Sequence, residues 1–121
     1  MKRNLDLIRH ILLTTENTNL SELSVLDYVT ESYFFGDVSY HIELLADAGY
    51  LVVLDISTLS SVYSDYLVRR LTNQGHDFLN SIRNDTIFNK TKHTVLSSVG
   101  NVALDVIKEI ATAIAKNQLG I

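Results

Sequence analysis

An α+β class is predicted for this chain by three observations. A helical pattern ends on Gly49, an apolar run follows it at Leu51 to Ile56, and a second β-rich run stands at Tyr66 to Leu71. Within GDVSYHIELLADAGYLVVLDI (36–56), Val38, Ile42, Leu45 and Ala48 recur at spacings of four, three and three. That spacing stacks them on one helical face, with Ser39, Glu43 and Asp47 opposite. Gly49 takes a left-handed conformation at little cost and so ends the helix, and the β-branched run behind it cannot usefully continue one. A helix that runs straight into a β-hairpin is how a winged helix-turn-helix presents its recognition helix. The expectation is therefore one winged-helix domain over residues 1–121, with a winged-helix core (1–84) and a C-terminal helical extension (85–121).

The elements follow in order. Asn4 is a suitable N-cap, and Leu5, Ile8, Ile11, Leu12 and Thr15 recur at helical spacing behind it, which predicts a helix over 5–16. Asp6 lies in its first turn, where the helix dipole favours an acid. The polar stretch TENTN is a loop. From Leu20 to Phe35 the pattern is ambiguous. Leu23, Val25, Asp27 and Val29 alternate with Leu26, Tyr28 and Thr30, which selects a strand added to the edge of the hairpin, although Ser21 to Leu26 also reads as a short helix. The two β runs form an antiparallel pair joined by STLSSVYSD, the wing, whose tip lacks the Gly, Asn or Pro of a tight turn and is expected to be a mobile loop. Thr72 caps a helix carrying Phe78, Leu79 and Ile82 and ending near Asn84. Gly75 inside it costs about 1 kcal/mol relative to alanine, which makes sense if another backbone lies against it. Asp85 starts a helix through Ile87, Phe88, Val95 and Val99, Gly100 breaks it, and Asn101 caps a last helix from Val102 to Leu119. This helix gathers Asp105, Lys108, Glu109, Thr112 and Lys116 on a narrow polar stripe. Its apolar girth, with Val106, Ile110 and Ile114, suits either core packing or a homodimer contact.

Composition narrows the function. At 121 residues one domain suffices, and no apolar run approaches the ~18 residues needed to span a bilayer. The N-terminal apolar residues are interrupted by Asp6, Arg9 and His10, so no signal-peptide core forms and a cytoplasmic protein is expected. The absence of cysteine excludes disulfides, thiolate metal sites and cysteine nucleophiles, and the sequons at Asn19, Asn84 and Asn89 carry little weight in a chain that is not secreted. The histidines His10, His41, His76 and His93 show no metal-ligand spacing, so no metal and no cofactor are expected. His76 and Asp77, as helix neighbours, point about 100° apart and make no catalytic pair. Neither a G-x-S-x-G elbow nor a phosphate-cradling glycine loop is present, which argues against an enzyme.

Two function classes remain. In the first, double-stranded DNA is read by Ser39, Tyr40, His41 and Glu43, with phosphates held by Arg69 or Arg70 and by Lys2 and Arg3. Glu43 suits a cytosine amino group and Ser39 bonds either way. Against it stand the net charge of −4 and the absence of Lys or Arg from Gly36 to Leu51. Arg69 and Arg70, as strand neighbours, should also point to opposite faces. Lys90, Lys92 and His93 form one further basic cluster, equally readable as a solvated helix face. In the second class the fold has no DNA affinity and is an interaction or dimerisation module using Tyr40, Leu59, Val62, Tyr63 and the last helix.

YHIELLADAGYL (40–51) resembles the recognition helix and turn of many bacterial winged-helix regulators, and RLTNQGHDFL (70–79) resembles the L-T-x-x-G element with which their last wing strand enters the next helix. With MKRNLDLIRHILL and SIRNDTIFNKTKHTVL added, the chain is similar to the domain-of-unknown-function family 2513, small proteins of phages and of prophages in Gram-positive bacteria. The resemblance implies a winged helix and no activity. Asn4 stands where an acid is expected in the opening motif. TESYFF (30–35) is more aromatic than the polar turn expected before the central helix, so the start of that helix is not fixed.

Overall fold

A computed structural model describes residues 2–97 and 102–119. The described elements run α1 (Leu5–Asn17), β1 (Leu23–Ser24), a 3-10 helix (Val25–Tyr28), α2 (Phe35–Asp47), β2 (Leu51–Asp55), β3 (Tyr66–Leu71), α3 (Asn73–Ile82), α4 (Asp85–Ser97) and α5 (Leu104–Leu119). They divide into two compact units, Met1–His76 and Asp77–Ile121. The expected α+β class stands, with a three-stranded antiparallel sheet in the order β1-β3-β2.

In the first unit α1 is capped as its sequence predicts, the Asn4 side chain accepting the Leu7 amide at 3.1 Å. Leu7, Ile8, Ile11 and Leu12 are buried beside Val38, Ile42 and Leu45 of α2. Each such side chain contributes about 1.5–3 kcal/mol relative to an exposed one. Ala48, expected on the same inward face, is exposed, because it already belongs to the turn that ends the helix. There Gly49 adopts φ +82, the Gly49 amide donates to the Ala46 carbonyl and the Tyr50 amide to the Leu45 carbonyl, both hydrogen bonds of a Schellman closure.

The ambiguous stretch resolves into both of its readings. Only Leu23 and Ser24 are a strand, and they pair with Val68 and Leu67, so the expected third strand joins β3 but stops after two residues. The chain then turns into the 3-10 helix because Asp27 reaches back to the Ser24 amide at 2.8 Å and Tyr28 is drawn fully inside. Its hydroxyl and that of Thr15 lie 2.7 Å apart. The aromatic segment ahead of α2 is used rather than idle. Tyr33 packs on the His10 ring with centroids 5.6 Å apart, and α2 begins at Phe35, earlier than the 4-3-3 pattern alone marks.

β2 and β3 pair with a bulge. Val52 faces Arg70 and Val53 faces Val68, which leaves Arg69 as the extra residue. Thr72 caps α3, its hydroxyl accepting the Gly75 amide at 3.0 Å. A Cβ on Gly75 would lie 2.1 Å from the Tyr50 carbonyl oxygen, so a backbone does press on this glycine.

In the second unit Phe78, Leu79 and Ile82 of α3 are buried, and Asn84 caps α4 through the Ile87 amide at 3.1 Å. α4 and α5 pack together, with Phe88, Thr91, Leu104, Ile107 and Ala111 buried. The break expected at Gly100, its neighbour Val99 and the cap expected at Asn101 lie outside the described residues.

Candidate functional site

The polar side chains of α2 are where the structure departs most from the sequence reading. Ser39 and His41, expected on the solvent face, are each 2% exposed. The Ser39 hydroxyl donates to the Ser64 carbonyl and so ties the returning limb of the β2–β3 loop to the helix. Nε2 of His41 lies 2.8 Å from the Asn4 backbone nitrogen, whose N–H must donate. The ring proton therefore sits on Nδ1, which is 2.7 Å from the Asp37 carbonyl. This ring is held neutral. Burial pushes its pKa below the ordinary value, and the hydrogen bond and charge of Asp37 only partly offset that. Both side chains turn inward, against the expectation that they face solvent.

Glu43 is half-buried, and its charge acts on the Tyr66 hydroxyl. Tyr66 is raised above its ordinary value first by desolvation and then by Glu43 and Asp55, with Ser64 opposing. Tyr40 is half-buried at the rim of a shallow groove of about 210 Å³ between α2 and the β2–β3 loop, lined with Gly36, Ser39, Glu43, Val62 and Tyr63. The Tyr63 ring lies over Gly36, where an added Cβ would meet its Cε1 at 2.7 Å.

The tip of the β2–β3 loop, expected to lack a tight turn, closes as a four-residue turn over Thr58 to Ser61, and hydroxyls cross-link its limbs. Ser57 accepts the Asp65 amide at 2.8 Å, and the Ser61 amide donates to the Thr58 carbonyl at 3.0 Å. The residues assigned here to an interface are all outward: Leu59 and Val62 are almost fully exposed and Tyr63 about half. On the hairpin two further exposed apolar residues were not singled out in the sequence, Leu54 at 50% and Ile56 at 38%. Their signal was present. Leu51 to Ile56 is apolar except at Asp55, and such a run puts alternate apolar side chains on the face away from the core.

Of the basic residues, Lys2 and Arg3 are exposed just before Asn4, the residue His41 holds. Arg69 and Arg70 do not split between the two faces as strand neighbours should. The bulge breaks the alternation and both are exposed, Arg70 donating from Nη1 to the Leu71 carbonyl at 3.0 Å. In the second unit Lys92 lies 5.0 Å over the Phe88 ring centroid. On α5 the buried stripe is Leu104, Ile107 and Ala111, while Val106 is exposed and Ile110 and Ile114 are half-buried. Among the described residues no group of His, Asp or Glu could hold a metal ion, and no helix is long and apolar enough to cross a membrane.

Comparison with known proteins gives a family and no activity. The model of the family described as "Hypothetical protein (DUF2513)" matches residues 2–101. An uncharacterized protein of Haemophilus influenzae is 40% identical over 119 residues, covering 98% of this chain and 99% of that one. No solved structure matches the chain.

Proposed function

This chain belongs to the DUF2513 family of hypothetical proteins, and from that premise we propose that its first unit is a winged-helix module that binds another protein rather than reading duplex DNA. The proposal identifies α2 with the recognition helix and the β2–β3 hairpin with the wing. The observation that carries it is the inward commitment of Ser39 and His41: two of the four residues a groove-bound helix would use are spent on Ser64, Asn4 and Asp37. What α2 still offers is Tyr40 with the carboxylates Glu43 and Asp47, and these two face phosphate badly. The wing offers aliphatic and aromatic side chains, the composition of a protein contact. The reading assigns no reaction to the chain and places it in the cytoplasm. The phage or prophage setting that the resemblance implies belongs to the proposal too, and the genes flanking this one test it.

DNA binding is the second reading. It draws on the bulge, which leaves both Arg69 and Arg70 exposed, and on Lys2 and Arg3 beside them in the charge count of the first unit. A titration with mixed-sequence duplex at ~50 mM salt separates the two, because affinity carried by phosphate contacts rises steeply as salt falls. The proposal expects no binding at that salt. Binding that tightens as salt is lowered overturns it in favour of DNA.

A further inference from the structure

We propose that the outer face of the β2–β3 ribbon docks an acidic, aliphatic segment of a partner polypeptide, with Arg69 and Arg70 taking its carboxylates. The inference rests on the protein-binding reading above and adds to it the surface and the chemistry of the partner. In the ladder, Leu51–Leu71 and Val53–Val68 pair on the core side, which assigns Val52, Leu54 and Leu67 to the opposite face. Burial follows that division at its ends: Leu51, Val68 and Leu71 are buried and Leu54 is exposed, with Val52, Val53 and Leu67 half-buried between them. Ile56 continues the exposed aliphatic line toward the wing. The bulge sets two residues, Arg69 and Arg70, opposite the single Val52, and both are exposed while Leu71 returns to the core; Arg70 spends one Nη1 proton on the Leu71 carbonyl and keeps its other donors. Without the bulge one arginine would be driven inward.

An aliphatic strip bordered by two arginine forks matches a segment that alternates apolar residues with carboxylates, since guanidinium binds carboxylate in a bidentate geometry. A second copy of this chain laid face to face would oppose arginine to arginine, and duplex phosphate would leave Leu54 and Ile56 without a match. The chain carries −4 overall, so attraction of an acidic partner acts only at contact range, within a screening length of about 8 Å at physiological salt. The arginines therefore set register more than they speed association.

The test uses the full chain labelled with nitrogen-15 and three probes: a peptide alternating leucine and glutamate, its leucine–lysine counterpart, and a mixed-sequence duplex. The acidic peptide is expected to shift the amides of Val52 to Ile56 and Leu67 to Leu71 saturably. The lysine peptide should bind about tenfold more weakly, and an Arg69→Ala/Arg70→Ala variant should lose about tenfold for the acidic peptide, each being the loss of charge-assisted hydrogen bonds. Leu54→Ser, which touches no hydrogen bond of the sheet, provides a second weakened variant should the double one not fold. Equal binding of the two peptides, absence of binding, shifts confined to other residues, or an unchanged affinity in a folded variant overturns the proposal. If neither the acidic peptide nor the duplex binds, this inference falls and the protein-binding reading stands; if the duplex shifts these amides more tightly than the peptide, both fall.

Discussion

His41 joins two elements through one ring, accepting from the start of α1 and donating within α2, and only the neutral ring can do both. Its folded pKa is depressed from an ordinary value near 6.5, so between the two values the unfolded chain binds more protons than the folded one. Stability is then fully present above about pH 6.5 and declines as pH falls below it. Urea midpoints measured from pH 8 to pH 5 should fall across that window. In a His41→Gln variant the decline should flatten, and stability at pH 8 should drop by about 1–3 kcal/mol, the cost of unpairing a buried donor. A decline of the same size in the variant assigns the pH dependence elsewhere. Tyr28 makes a parallel case. Its hydroxyl pKa is pushed up to about 12 by burial, opposed by the bond to Thr15 and helped by Asp27. Thr15 spends its own proton on the Ile11 carbonyl at 2.7 Å, so Tyr28 is the donor of the pair. Tyr28→Phe keeps the packing and loses one hydrogen bond, and thermal melts should show a cost of about 1 kcal/mol.

At the scale of elements, two glycines hold the α2–β2 turn and the start of α3 for different reasons. Gly49 has a positive φ and open space around its Cα, whereas Gly75 is pressed by the Tyr50 carbonyl. Gly49→Ala should cost about 1–2 kcal/mol, the left-handed penalty. Gly75→Ala must move backbone and should cost more, about 3 kcal/mol. Denaturant midpoints of the pair test the order, and a Gly75→Ala variant as stable as Gly49→Ala would show that the contact yields. Both glycines were legible in the sequence, as were the Asn4 and Thr72 caps and the inward line of Val38, Ile42 and Leu45, because each is a local pattern. The bulge was not. A strand read with a strict period of two sends Arg69 and Arg70 apart, and only the need to bring Leu71 back to the core shows that one residue must be extra. Nor were the inward turns of Ser39 and His41 legible, since their partners Ser64 and Asn4 lie 25 and 37 residues away in the chain.

For the whole molecule, the open questions concern partners. The stripe of Val106, Ile110 and Ile114 on α5 is partly exposed beside its buried face, the arrangement a homodimer contact would use. Light scattering of the chain and of an Ile110→Asp/Ile114→Asp variant tests it: a dimer that falls to half its mass supports the contact, and an unchanged mass in a folded variant removes it. Sequence made plain the acidic balance and the lack of Lys or Arg on α2, but it could not say that Arg69 and Arg70 are both exposed on the ribbon. That distribution follows from where the bulge falls. The protein-binding reading rests on Ser39 and His41 of α2 having turned inward. The nitrogen-15 ring spectrum of His41 tests this most directly, recorded in the full chain at pH 6.5 with and without mixed-sequence duplex at ~50 mM salt. The account predicts a neutral ring with its proton fixed on Nδ1 and no change on adding duplex. A ring half-protonated at that pH, or one whose signals move with duplex, would contradict it.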